Sequence, residues 1–187
     1  MANKDSAFGL KPIGKVGQNR DAQGLSEYSI AASADAIYFQ DPVELAATGT
    51  ITVAAASDAL LGSLNGVFFT DASSSKPTYA NHLNASNTAT DIVGFVSDDP
   101  YERFEIQADG ATAAADVGLN ADIVYAAGSS PDYVSKVELQ TSDQKTGTAQ
   151  LRIIGISKDP LNNEAGSANV NLITIINEHQ LKATAGV

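Results

Sequence analysis

The sequence predicts a mainly β protein: an antiparallel β-barrel or sandwich with an extended N-terminal arm and little helix. From Glu27 onward, short runs rich in β-branched and aromatic residues alternate with turn residues. No segment keeps a long helical period. Residues 1–27 instead contain spaced glycines and few apolar residues, which favours neither helix nor strand interiors. We therefore expect an arm at residues 1–27 and a β-rich body at residues 28–187.

The predicted strands of the body are separated by turn signals such as Asp99-Pro100 and Asp109-Gly110. In chain order they are Tyr28–Ala31, Ala36–Phe39, Val43–Ala46, Ile51–Ala54, Gly66–Thr70, Ile92–Val96, Arg103–Ala108, Ile123–Ala126, Tyr133–Glu138, Ala149–Ser157 and Asn169–Asn177.

Two late runs, LRIIGI at 151–156 and VNLITII at 170–176, are apolar on both faces over part of their length. This pattern predicts central strands that are covered on both sides. Ser57–Leu61 is a candidate short helix with Ser57 as its N-cap. The polar segment 71–91 is expected to form an exposed loop or hairpin.

Composition limits the partners of the chain. It has no cysteine, which excludes disulfides and thiolate metal sites, and its net charge is −11. Residues 1–20 hold four basic residues and one acidic residue, a net +3, which leaves −14 for the rest. An acidic body is a poor partner for nucleic acid, and no apolar run is long enough to span a membrane. The basic arm is expected to dock on a neighbouring subunit or an acidic surface.

No catalytic signature is present: G-x-S-x-G, the P-loop, G-x-G-x-x-G and H-E-x-x-H are all missing. The two histidines, His82 and His179, lie in unrelated contexts and are interpreted as surface or interface residues. The oxygen-rich run Asp159–Glu164 lacks the EF-hand spacing and is interpreted as an ordinary turn rather than a Ca²⁺ site. No cofactor or metal is expected.

The segment FVSDDPYERFEIQADG, residues 95–110, raises the question of an acidic active site. Alternation in the predicted strand places Phe104 and Ile106 on an inner face and Arg103 and Glu105 on a solvated one. The other acids of the segment are Asp98 and Asp99 in the turn at Pro100, Asp109 in the next turn, and Glu102. A hydrolase that uses Glu105 with an acid from another strand stays open, since glycosidases need two facing carboxylates.

Four segments resemble the head decoration proteins, also called capsid cement proteins, of tailed bacteriophages. They are MANKDSAFGLKP at 1–12, GFVSDDPYERFEIQA at 94–108, LRIIG at 151–155 and INEH at 176–179. The resemblance implies a β-rich, non-enzymatic virion protein, made in the host cytoplasm, that binds the outer surface of the capsid as a homotrimer and stabilises contacts between major capsid protein subunits. It also implies that residues 95–110 form a structural hairpin element.

The arm residues expected to contact the capsid or a sister subunit are Lys4, Phe8, Leu10, Lys11, Ile13, Lys15 and Arg20. Arg103, Glu105 and His179 are candidates for a second interface. The alternative interpretation is a virion-surface attachment or carbohydrate-binding module. The small number of aromatic residues in the chain argues against it.

Overall fold

A computed structural model describes residues 2–17 and 24–182 of the chain. Within these ranges the chain forms thirteen short strands and three 3-10 turns. The strands are β1 Lys11–Lys15, β2 Ser26–Ser29, β3 Pro42–Leu45, β4 Ile51–Val53, β5 Gly62–Thr70, β6 Pro77–Ala80, β7 Val93–Ser97, β8 Glu102–Gln107, β9 Asn120–Ala121, β10 Ile123–Val124, β11 Glu138–Leu139, β12 Leu151–Ile156 and β13 Asn171–Ile176. The 3-10 turns are Ala114–Asp116, Thr141–Asp143 and Gln180–Lys182.

The strands form antiparallel sheets that pack together, which confirms the predicted mainly β class and is consistent with a sandwich. A five-stranded sheet has the order β1-β8-β13-β12-β9, and a six-stranded sheet has the order β2-β7-β5-β3-β4 with β6 also paired to β5. Strands β10 and β11 form a small third ladder. The chain therefore contributes β1 to the five-stranded sheet, then forms the six-stranded sheet with β2–β7, and completes the five-stranded sheet with later strands.

Each large sheet has its own hydrophobic core. The first core gathers apolar residues of the five-stranded sheet, where Ile106 of β8 pairs directly with Leu172 of β13. The second core lies under the six-stranded sheet and includes Leu64 and Val96. The neighbours Leu60 and Leu61 are both fully buried, one in each core, so this short stretch ties the two cores together.

The described part of the predicted arm lies on the chain's own body. Strand β1 pairs with β8 along the edge of the five-stranded sheet, with Lys11 opposite Glu105. Leu10 is fully buried in the first core, and its amide donates to the carbonyl of Gln40 at 2.9 Å. Pro12 and a bulge before Gly14 interrupt the ladder, as is common on edge strands.

Two local predictions were wrong. Ser57 has a φ of 71° and Ala55 N donates to Asp58 Oδ2, so residues 57–61 begin with a turn rather than a helix. Strand β12 is covered on one face only, because Arg152 is exposed and Ile154 is 37% exposed. An apolar run shows that a strand is hydrophobic, but the elements that pack against the strand determine which of its faces is buried.

The segment 71–91 forms a hairpin with β5 through β6 and then runs back towards the body. Its loop is exposed, whereas Leu83 is fully buried in the second core and forms a bridge with Ile37. No helix within residues 2–17 and 24–182 is long and apolar enough to cross a membrane.

Candidate functional site

The acidic segment 95–110 connects the two sheets. Its first part is β7 of the six-stranded sheet and its second part is β8 of the five-stranded sheet, so the predicted hairpin is wrong. The turn between them is shaped by Asp99, whose carboxylate accepts from the amide of Tyr101 at 2.8 Å. Asp98 follows β7 and binds the neighbouring strand β2 of the same sheet, where it accepts from the hydroxyls of Ser26 at 2.9 Å and Tyr28 at 2.6 Å. Burial, followed by the contact with Asp98, raises the pKa of Tyr28.

The polar face of β8 is covered, not solvated as predicted. Glu105 is only 8% exposed and accepts a hydrogen bond from the hydroxyl of Ser157. Its other oxygen lies 3.2 Å from the ammonium of Lys11. Both partners come from distant parts of the chain, so alternation within β8 alone could not reveal this cover. Glu105 is an anchor between β1, β8 and the loop after β12.

Two further acids of this segment hold β1 in place. Glu102 is buried and its Oε1 accepts from the amide of Gly14 at 3.0 Å, while burial raises its pKa. Asp99 lies 2.6 Å from the ammonium of Lys15, and the hydrogen bond from Lys15 lowers the pKa of Asp99. Asp99 and Glu105 therefore pair with the lysines of β1, and Glu102 binds its backbone.

Buried amides bind the backbone that precedes β1. Gln107 accepts from the amide of Ser6 at 2.8 Å and donates to the carbonyl of Lys4 at 3.0 Å. Asn162 donates to the same carbonyl at 2.7 Å. The groove beside them has a volume of about 250 Å³, and its walls include Asp159 and Glu105. The groove is polar, and the side chains on its walls already bind the N-terminal segment.

The run Asp159–Glu164 serves the same anchoring role. Asn162 is occupied by the N-terminal backbone, and Asp159 caps its own turn by accepting from the amide of Leu161 at 3.0 Å. Among the described residues no group of three or more His, Cys, Asp or Glu side chains is placed to hold a metal ion.

The predicted arm contacts are distributed over several environments. Lys4 is exposed and Ile13 is 37% exposed, so both side chains can reach a partner. The ring of Phe8 is half-buried beneath the ammonium of Lys11, at 5.9 Å. Leu10 is enclosed within its own chain and cannot contact a partner in this conformation. Arg20 lies outside the described residues.

Of the three candidates for a second interface, two are buried and one is half-buried. Glu105 is buried as described above, and Arg103 is half-buried beside Gly14, where a Cβ would lie 3.5 Å from a terminal nitrogen of the guanidinium. His179, predicted at the surface, is only 2% exposed. Its Nδ1 accepts from the amide of Leu181 at 3.1 Å, which assigns the proton of the neutral ring to Nε2. Burial, helped by nearby Lys182, lowers the pKa of His179 to about 4.

The burial of Asp41 was not predicted from the sequence. Its side chain is fully enclosed and accepts from the amide of Tyr38 at 2.7 Å. Burial raises its pKa to about 6, although hydrogen bonds from Ser135 and Tyr38 act in the opposite direction. Asp41 precedes Pro42, a pair that predicts a turn. Asp41 is buried because the segment that carries Ser135 packs over it.

Replacing Glu105 by alanine is expected to destabilise the protein by about 1–3 kcal/mol, because the hydroxyl of Ser157 loses its buried acceptor and Lys11 loses its partner. Urea unfolding measures the change. The matched control is Glu27→Ala, at an exposed site on β2, which should change the free energy of unfolding by less than about 0.5 kcal/mol. Equal effects from the two substitutions would refute the anchoring role.

No family model, curated protein or solved structure matches the chain.

Proposed function

We propose that the chain is a structural virion protein that binds the outer surface of a tailed-phage capsid and stabilises contacts between major capsid protein subunits. On the shell it associates with two further copies of itself as a homotrimer. The protein has no enzymatic role in this proposal and binds neither nucleic acid nor membrane.

One observation carries the proposal. The four segments that resemble head decoration proteins are far apart in the sequence, at 1–12, 94–108, 151–155 and 176–179. They contribute to β1, β8, β12 and β13, which are neighbouring strands of the five-stranded sheet, and the segment 94–108 also includes most of β7 in the six-stranded sheet. Segments that are far apart in the sequence but converge mainly on neighbouring strands of one sheet are what a shared scaffold would produce.

The N-terminal segment supports the same proposal. Its backbone is fixed to the body by Gln107 and Asn162, while the side chain of Lys4 remains exposed. A fixed backbone loses little conformational entropy when it binds, and an exposed lysine can pair with acidic groups of a shell. Three fixed copies in a trimer would add their weak contacts through a raised effective concentration.

Co-sedimentation with empty shells tests the proposal. The shells are assembled from the major capsid protein of the tailed phage that the proposal implies, and the full chain is expected to pellet with them and saturate at a fixed ratio. Lys4→Glu should weaken this binding about tenfold, since it reverses an exposed charge without touching the backbone anchors. Electron cryomicroscopy of the decorated shells should show three copies around three-fold positions.

Lys76→Glu is the matched control. Lys76 is an exposed lysine in the loop between β5 and β6, and its reversal makes the same change of net charge. It should leave binding unchanged if the N-terminal segment makes the contact. Failure of the unsubstituted chain to pellet with shells would refute the function. Equal losses from both variants would refute the role of the N-terminal segment.

A further inference from the structure

The outer face of the six-stranded sheet carries exposed aromatic rings. Phe68 of β5, Tyr79 of β6 and Phe95 of β7, together with Val93, form what we call the aromatic face. Tyr79 is 65% exposed and Phe68 is 37% exposed. Large exposed apolar side chains that lie together on one face mark an interaction site more often than isolated ones do.

Strand pairing brings these side chains together. Phe68 lies opposite Tyr79 on one side and opposite Val93 on the other. A Cβ on Gly94 would contact Ile51 at 2.8 Å in the second core, so position 94 points inward and its neighbour Phe95 points outward. The ring centroids of Tyr79 and Phe95 are 5.6 Å apart.

The ring of Tyr79 lies over the backbone of Gly66. A Cβ at that position would be 3.0 Å from the phenol oxygen and 3.3 Å from Cζ, so glycine is what lets the ring approach the sheet. One side of the ring is therefore supported by backbone, and its high exposure leaves the other side to solvent. This is a supported, rigid platform rather than a freely moving side chain.

Polar groups border the aromatic face. On β2, Glu27 lies opposite Phe95 and Ser29 lies opposite Val93. At the end near the hairpin loop, the exposed carboxylate of Asp91 accepts from the amide of Thr70 at 3.0 Å. Carboxylate oxygens can accept several hydrogen bonds at once, so Glu27 and Asp91 keep capacity for hydroxyl groups of a ligand.

The exposed area indicates the size of the ligand. From their exposed fractions, Tyr79 and Phe68 together offer roughly 200 Å² of aromatic surface. A specific protein interface needs about 800 Å² on each partner. One or two sugar rings match the smaller area, because the C–H face of a pyranose lies flat on an aromatic ring and its hydroxyls point sideways.

We infer that the aromatic face is a binding site for a neutral pyranose saccharide. The C–H face of one sugar ring stacks on Tyr79, the next ring contacts Phe68, and equatorial hydroxyls donate to Asp91 and Glu27. The two carboxylates disfavour acidic saccharides by charge repulsion. This site lies on the opposite sheet from β1 and is independent of the proposed binding to shells.

Titration of the free chain tests the inference. The probes are cellohexaose, maltohexaose, chitohexaose and a mannohexaose, with a hyaluronan hexasaccharide as the acidic comparator, and binding is followed by amide chemical shifts and calorimetry. At least one neutral probe should bind with a Kd below about 1 mM and shift the amides of β5, β6 and β7. The hyaluronan probe should bind more weakly.

Substitutions separate the site from nonspecific binding. Tyr79→Ala should weaken binding about tenfold, whereas Tyr79→Phe, which keeps the ring, should stay within about threefold of the original affinity. Tyr101→Ala is the matched control, because Tyr101 is 63% exposed but lies between β7 and β8, against Lys182. It should leave the affinity unchanged.

Three results would overturn the inference. The first is that no neutral hexasaccharide binds. The second is that Tyr79→Ala and Tyr101→Ala weaken binding equally. The third is that the aromatic face holds a second copy of the chain, in which case sedimentation would show self-association that Tyr79→Ala abolishes and that saccharide does not affect. Because free chain is used throughout, the result does not depend on shell binding.

Discussion

As pH rises from 4 to 6.5, the Asp41→Asn protein is expected to gain about 3 kcal/mol of stability relative to the unsubstituted protein. Burial raises the pKa of Asp41 from 3.8 to about 6, so between these values the folded state holds more protons than the unfolded chain. That contribution is present at low pH and is lost as pH rises through 6. Asparagine has no ionisable group, so the variant does not lose stability from this position as pH rises.

His179 supplies the opposing change. Burial lowers its pKa from 6.5 to about 4, so the folded state holds fewer protons than the unfolded chain between these values. Its contribution of about 3 kcal/mol is present above pH 6.5 and is lost as pH falls through 4. In the unsubstituted protein the opposite pH dependences from Asp41 and His179 nearly cancel. Replacing either residue leaves the pH dependence of the remaining residue visible.

Urea unfolding at half-unit steps of pH measures these slopes. His179→Asn keeps an acceptor for the amide of Leu181 and should make stability fall as pH rises from 4 to 6. The double variant should again show a shallow dependence. Other carboxyl groups with raised pKa values, such as Glu102, are common to all four proteins and cancel in the comparison. Parallel curves for Asp41→Asn and the unsubstituted protein would disprove the assignment.

Gly9→Ala is expected to cost about 2–5 kcal/mol of unfolding free energy and to release the N-terminal segment from the body. Gly9 has a φ of 75°, and a Cβ there would lie 2.3 Å from the carbonyl oxygen of Gln40 and 2.5 Å from Ser135 Cβ. The adjacent Leu10 could then neither enter the first core nor donate to Gln40. Urea unfolding gives the cost, and hydrogen exchange of the β1 amides reports the release.

Gly17→Ala is the control that separates the cost of backbone strain from the cost of a steric clash. Gly17 also has a positive φ, of 90°, but nothing lies within 4 Å of its hypothetical Cβ. This control should cost only the conformational penalty, about 1–2 kcal/mol, and leave β1 protected from exchange. If both substitutions cost the same, the close approach at Gly9 does not hold the segment in place.

The acidic segment shows how far sequence can predict this fold. Alternation correctly placed Phe104 and Ile106 in a core, and the predicted strands at 92–96 and 103–108 differ from β7 and β8 by about one residue at each end. The polar face was wrong because Lys11 and Ser157 cover Glu105 from far along the chain. Periodicity describes one strand at a time, and burial depends on which strands become neighbours.

The aromatic face escaped prediction for the same reason. Phe68, Tyr79 and Phe95 belong to three strands, and only the order β7-β5-β6 brings their rings together. Counting aromatic residues suggested that a platform was absent, although a few rings suffice when they share one face. His179 was placed at the surface because it follows the last strand, but its backbone bridges to Leu60 and draws it inward.

The pairing of β1 with β8 also determines the order in which the sheets can form during synthesis. Lys11 and Glu105 are 94 positions apart, so the first strand leaves the ribosome long before its partner exists. At ordinary rates of translation the delay is roughly 5–20 s. During that interval Leu10 has no core to enter, and the six-stranded sheet can form first. The N-terminal segment therefore closes over a sheet that is completed only when β12 and β13 arrive.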